Sequence, residues 1–240
     1  MSPESIDHDA LKKRGFLRSK EEGLFTLRTR MSAGNYRDSH LEKLAKLARQ
    51  YGRGIAHLTV RQGIEIPYIR YEDIEAIERE LELSGIKTGT SGPRLRATTC
   101  CPGNNWCKRG LVNTFAFFER IENAGILCGT DLPHKFKIVI SGCPNSCTRT
   151  QVSEIGLHGA IDVKHPEKRI GYAVYLGGCG GRTPRIGFKL NRILTEDEVL
   201  SLIKRVVRFY KQNAKPRQRL ALLIEQIGRD NFLKAIDAPS

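Results

Sequence analysis

Apolar and polar positions alternate from Leu24 to Arg30, a period of two that predicts a strand preceded by an irregular entry ending at Gly23. Leu41, Leu44, Ala45 and Ala48 recur at helical spacing behind a capping box of Ser39 and Glu42, and Gly52 and Gly54 end that helix. Residues 55–61 and 64–69 read as two strands bent at Gly63, and Ile74, Ile77 and Leu81 line a second helix closed by Gly85. This order predicts an α+β unit with helices on one face of a mainly antiparallel sheet.

A second unit is expected after a boundary in the stretch from Gly85 to Pro93, giving domains 1–90 and 91–240. Pro93 to Thr99 reads as a strand, followed by a helix with Leu111, Phe115 and Phe118 on one face. Residues 136–141, 155–160 and 172–176 are strand-like, and the glycines from Gly177 to Gly181 require a tight loop. Thr195 and Glu198 cap a helix buried through Val199, Leu202, Ile203, Val206 and Tyr210. Pro216 breaks it, and Leu220, Leu223, Ile224 and Ile227 line the next helix up to Gly228. These C-terminal stripes are core.

The chain of 240 residues can bury a real core, and no apolar run approaches a membrane span. Its start lacks the apolar segment of a secretory signal, so a cytoplasmic location and no membrane are expected. A net charge of +14 calls for an anionic partner: nucleic acid, an acidic protein, an anionic substrate or an acidic cofactor. The longest purely basic run is Lys12 to Arg14, too short for a nucleic-acid arm, and aromatics at 7% are too sparse for a stacking surface.

Cysteines stand at 100, 101, 107, 128, 143, 147 and 179. An odd number, clustered, argues for thiolate ligands in a reducing compartment over a disulfide framework. Cys101 and Cys107 form C-x5-C, and Cys143 and Cys147 form C-x3-C, with Pro102, Gly103, Gly142 and Pro144 beside them. Turns of this kind aim sulfur inward and leave backbone N–H groups for a cluster's sulfides. An iron–sulfur cluster fits this best, although zinc and buried free thiols are alternatives; C-x5-C is wide for a zinc knuckle. Cys100 beside Cys101 leaves the ligand choice open by one residue. Cys128 reads as core; Cys179, in its glycine loop, reads as buried, with an approach to a bound cofactor as the alternative.

These motifs resemble the sirohaem-containing sulfite and nitrite reductases. The paired spacings match that family's cluster signature, and Ser141 to Arg149 resembles its proximal loop almost residue for residue. The resemblance spans residues 24–236 and implies a ferredoxin-like half-domain followed by a sirohaem- and [4Fe-4S]-binding α+β domain. It implies that Cys101, Cys107, Cys143 and Cys147 hold the cluster, that Cys147 bridges it to sirohaem, and that Asn145 in the same loop contacts the cofactor. Arg61, after Leu58 on a strand, and Arg96, ahead of the cluster motif, resemble the family's active-site arginines. Lys135 and Lys137 resemble its lysine pair; two apart on a predicted strand, they project from one face. Such cations suit an oxyanion and a carboxylate-rimmed macrocycle.

The activity so implied is six-electron reduction of sulfite to sulfide by an external donor, an acidic ferredoxin-like carrier. Nitrite reduction at the same site is the alternative, and an iron–sulfur nucleic-acid-binding or sensor module is the reading from another class. Two-copy relatives place sirohaem between copies, so this single copy is expected to form a homodimer or a higher homo-oligomer. No GxGxxG is present, so no built-in flavin or NADPH domain is expected.

Overall fold

The structure is a computed structural model that describes residues 6–237, and the chain divides into two compact units, one ending at Gly92 and the other beginning at Pro93. The first carries α1 (His8–Lys13), β1 (Phe16–Arg18), β2 (Leu24–Arg30), α2 (Asp38–Tyr51), β3 (His57–Leu58), β4 (Ile64–Arg70), α3 (Ile74–Leu83) and β5 (Lys87–Thr88). Its antiparallel sheet runs β1-β2-β4-β3, with β5 paired to the far end of β2. Phe25 and Leu27 on β2, Ile64, Ile66 and Ile69 on β4, and Ile74, Ile77 and Leu81 on α3 share one core.

Several expectations shift here. The entry before Gly23 is structured, because Leu11 and Phe16 anchor α1 and β1 in the core. Helix α2 starts at Asp38, ahead of the expected Ser39 cap, and the ring Nδ1 of His40 accepts from the Arg37 amide. It buries Leu44, Leu47 and Ala48 and leaves Leu41 and Ala45 exposed, so the contact face is turned toward Leu47. The strand expected over 55–61 shrinks to β3. Beyond it the chain turns back at once: Thr59 N–H donates to Gly63 O at 2.9 Å and Gln62 N–H to Thr59 O at 3.1 Å.

The second unit carries β6 (Thr99–Cys100), α4 (Thr114–Asn123), β7 (Ile138–Ser141), β8 (Ile155–Ile161), β9 (Ile170–Leu176), β10 (Phe188–Lys189), α5 (Glu196–Asn213), α6 (Leu220–Ile227) and α7 (Arg229–Ala235). The sheet order is β10-β9-β8-β7-β6, with β6, β7 and β8 parallel and the remaining pairs antiparallel. The strand expected over 93–99 is reduced to β6 plus single bridges from Arg94 to Asp131 and Leu95 to Phe136. Helix α4 begins after Leu111 and buries Phe117, Phe118 and Ile121, while Phe115 faces partly outward. Helix α5 keeps the expected face, and its capping box closes with Thr195 N–H donating to Glu198 at 2.8 Å. Among the described residues no helix is long and apolar enough to cross a membrane.

Candidate active site

Both cysteine loops begin at the same end of the second sheet. Strands β6 and β7 are parallel, with Cys100 beside Ile140, so Cys101 and the Gly142–Cys143 segment emerge together from neighbouring strand ends. There the two loops lie backbone on backbone. A Cβ added to Gly142 would fall 2.5 Å from Gly103 Cα, and one added to Gly110 would fall 2.2 Å from Gly103 C. Leu111 N–H donates to Gly142 O at 2.8 Å, and Gly142 N–H donates to Cys101 Sγ at 3.0 Å. Only glycine permits this approach, and it delivers an amide to a cysteine sulfur.

The second loop is held from within. The hydroxyls of Ser141 and Thr148 share a hydrogen bond of 2.8 Å, and those of Ser146 and Thr150 share one of 2.6 Å. Ser146 and Arg149 take the left-handed backbone, at φ 51° and 60°, which curls the chain around Cys143 and Cys147. Cys143 is buried, Cys101 half-buried, and Cys107 and Cys147 exposed; Asn145 is exposed at the loop's tip. Cys100 points into the core, and burial next to Cys101 pushes its thiol up to about 12, where it stays protonated. Cys128 is only half-buried, a correction to its reading as core: it lies just past α4, where the chain leaves the interior.

Lys135 and Lys137 precede β7 instead of lying on it, and the chain there is tied to its neighbours by the Leu95–Phe136 bridge and by Ile155 N–H donating to Lys137 O at 3.1 Å. The alternation survives: Phe136 and Ile138 are buried and both lysines lie half-buried on the other side. Arg96 is brought alongside, its N–H donating to Phe136 O at 2.8 Å. Desolvation lowers the affinity of both lysines for a proton, and Arg219 adds to the effect. Burial likewise lowers His134, with Arg219 and Lys135 next in importance. Arg61 belongs to the first unit and sits in the turn after β3, not on a strand; its N–H donates to Thr59 Oγ1 at 3.3 Å.

Sequence reasoning missed Arg219. It stands just ahead of α6 and reaches back to Glu154, with Nε 2.7 Å from Oε1. The other oxygen of Glu154 accepts from Lys137 N–H at 2.9 Å. Burial raises the Glu154 carboxyl, while Arg219 and Lys137 oppose that rise. A cleft of about 170 Å³ opens beside this pair, lined by His134, Lys135, Cys179, Arg182, Arg185 and Arg219 among others. Cys179 therefore borders a cationic cleft, although it is buried as expected. A larger hollow near Tyr71 and Glu72 holds no such set.

With this geometry in view, the comparisons are decisive. Residues 91–240 match the nitrite and sulphite reductase 4Fe-4S domain, and residues 18–84 match the nitrite/sulfite reductase ferredoxin-like half domain. The chain belongs to the nitrite and sulfite reductase family. It is 30% identical to a coenzyme F420-dependent sulfite reductase of Methanocaldococcus jannaschii over 92% of this chain and 44% of that one. It is 26% identical to an assimilatory-type sulfite reductase of Nitratidesulfovibrio vulgaris, over 93% of this chain and 97% of that one. The fold superposes on the Mycobacterium tuberculosis NirA protein with a TM-score of 0.84 at 21% identity, covering 98% of this chain and 48% of the other. The chain spans less than half the length of the first curated relatives it matches.

Family membership implies a [4Fe-4S] cluster and sirohaem. The residues present fit both. Free cysteines on abutting glycine-walled loops, one already receiving a backbone N–H, are the donor set a cluster needs. Among the described residues no three His, Cys, Asp or Glu side chains close on a point as a single ion requires. A cluster, however, fills the space between its thiolates and holds them farther apart. Lys135 and Arg182 at the cleft suit the carboxylates of a tetrapyrrole, while Arg185 and Arg219 there are paired with Glu225 and Glu154.

Proposed function

We propose that this chain reduces sulfite to sulfide, taking six electrons from a separate donor. The observation that carries this reading is that one unit holds both the abutting cysteine loops and the cations Arg96, Lys135 and Lys137. When bound, the cluster and sirohaem supply the electrons and the metal site for the anion. Cys101, Cys107, Cys143 and Cys147 hold the cluster in this reading, Cys147 also reaching sirohaem, and Asn145 borders the cofactor.

The protein's own contribution is electrostatic. In this reading Arg96, Lys135 and Lys137 neutralise the anion's charge and orient its oxygens, and the family resemblance alone assigns Arg61 of the first unit a like role. Lys135 and Lys137 bind their protons less tightly than ordinary lysines because they are half-buried among other cations. Each ammonium is therefore a readier proton donor to an oxygen leaving sulfur. Glu154 keeps Arg219 and the Lys137 backbone in register without spending its charge on the lysine ammonium alone.

Nitrite is the second substrate of this reading, since relatives named for either anion match over most of the chain. Self-association into a homodimer and an acidic electron carrier complete it, and the charge of +14 supports the latter. Steady-state rates with reduced methyl viologen, for sulfite and nitrite in parallel, test the assignment. A higher kcat/KM for sulfite supports it, and a higher value for nitrite makes this a nitrite reductase.

A further inference from the structure

Trp106 is the chain's single tryptophan, and it sits inside the C-x5-C loop immediately before Cys107. It is 68% exposed, in a molecule whose other aromatics are mostly drawn inward. The ring is not loose: it packs edge-on against Phe115, with centroids 5.3 Å apart. Cys107, Lys108 and Arg109 next to it are exposed too. Neither cation has an ion-pair partner among the described residues, and no acidic residue occurs from Leu83 to Phe118. Nothing in folding or anion binding calls for a rigid, exposed tryptophan flanked by unopposed cations at the outer side of a cysteine loop.

We propose that Trp106, Lys108 and Arg109 form the docking surface for an acidic electron-carrier protein of the ferredoxin class. Tryptophan and arginine are the residue types that carry most binding energy at protein interfaces, with the apolar ring central and the charges at the rim. The sign of the rim selects an acidic partner and speeds its arrival. The inference rests on the reading of Cys107 as a cluster ligand. An exposed Cys107 then brings the cluster to the surface directly beneath the docked carrier. Each encounter moves one electron: the carrier is oxidised, the cluster is reduced, and no atom is exchanged. Six encounters match the electrons needed per sulfite.

The test uses the holoenzyme, a plant-type [2Fe–2S] ferredoxin as the probe, and the double variant Lys108→Glu with Arg109→Glu, whose exposed positions tolerate reversal. Trp106 fluorescence reports docking without turnover. Ferredoxin should perturb it in the parent protein, less so as salt rises, and the double variant should weaken binding about tenfold or more. In kinetics, the double variant and Trp106→Ala should raise the ferredoxin KM by a similar factor. Methyl viologen-driven rates and the visible spectrum should be unchanged. An unaltered titration in the double variant, with an unaltered ferredoxin KM in it and in Trp106→Ala, would overturn the proposal. So would a parallel fall in dye-driven rates, which would place these residues in the cofactor cradle. Self-association abolished by Trp106→Ala with ferredoxin binding intact would give the surface to a second copy instead, and overturn it as well. A holoenzyme that docks ferredoxin yet reduces neither anion with the dye would leave the surface standing and refute the functional reading alone.

Discussion

Glu154 and Arg219 form a buried ion pair in which one carboxylate oxygen, Oε1, accepts from both Nε and Nη2 of the guanidinium. The second oxygen takes Lys137 N–H, so a single side chain ties the segment before α6 to the lysine pair. Arg217 N–H, donating to Pro133 O at 2.9 Å, and Tyr210 OH, donating to Gln218 O at 2.6 Å, seat the same segment.

Removing one partner of such a pair leaves the other charge buried and unopposed, which costs about 3–5 kcal/mol. Glu154→Gln keeps the shape but should lower the free energy of unfolding by about that amount. A double variant, Glu154→Gln with Arg219→Met, should recover part of the loss. Chemical denaturation of the three proteins checks this.

The abutting loops give a sharper steric prediction. In Gly142→Ala the new methyl meets the Gly103 backbone, which cannot swing aside as a side chain would. Overpacking of this kind costs about 1–3 kcal/mol, and the loops would be forced apart, with iron and acid-labile sulfide lost from the purified protein. Gly180→Ala is the control: nothing lies within 4 Å of its added Cβ, and its stability and iron content should match the parent.

Cys100 and Cys101 should behave oppositely despite adjacency. Cys100→Ala removes a protonated core thiol and should leave iron content intact, whereas Cys101→Ala should lose the cluster. Iron analysis of the two variants settles which neighbour is the ligand.

The lysine pair predicts a pH dependence. Desolvation depresses Lys137 below 10.5 in the folded chain, so between that lowered value and 10.5 the unfolded chain binds more protons. The cost of keeping Lys137 charged is fully present below the lowered value and is relieved as pH rises to 10.5, so its effect on the cofactor-free protein is a rise in stability with pH across that window. Lys137→Met should flatten the rise, measured as denaturation midpoints at about pH 8 and pH 10.

How legible all this was depended on range. The cysteine pairs, their flanking glycines and the Thr195–Glu198 cap are local patterns, and local patterns name their own chemistry. Arg219 is not legible in the sequence, because its meaning comes from Glu154, 65 residues away, and it stands beside an apolar stripe whose own pattern signals only packing. The α2 face was misjudged for a related reason. Leu41, Leu44, Ala45 and Ala48 satisfy helical spacing as well as Leu44, Leu47 and Ala48 do, and only the packing of the sheet chooses between them. The strand over 55–61 failed because the turn at Thr59–Gly63 ends pairing early and leaves Leu58 and Val60 outside.

The central claim is six-electron reduction by this chain's cofactor-loaded site. Anaerobic holoenzyme with limiting sulfite and excess reduced methyl viologen measures it directly, by counting dye oxidised against sulfide formed. The account predicts one sulfide per sulfite and about six dye equivalents consumed, one electron each. Holoenzyme carrying both cofactors that oxidises no dye in the presence of sulfite, or that consumes it without forming sulfide, would contradict it.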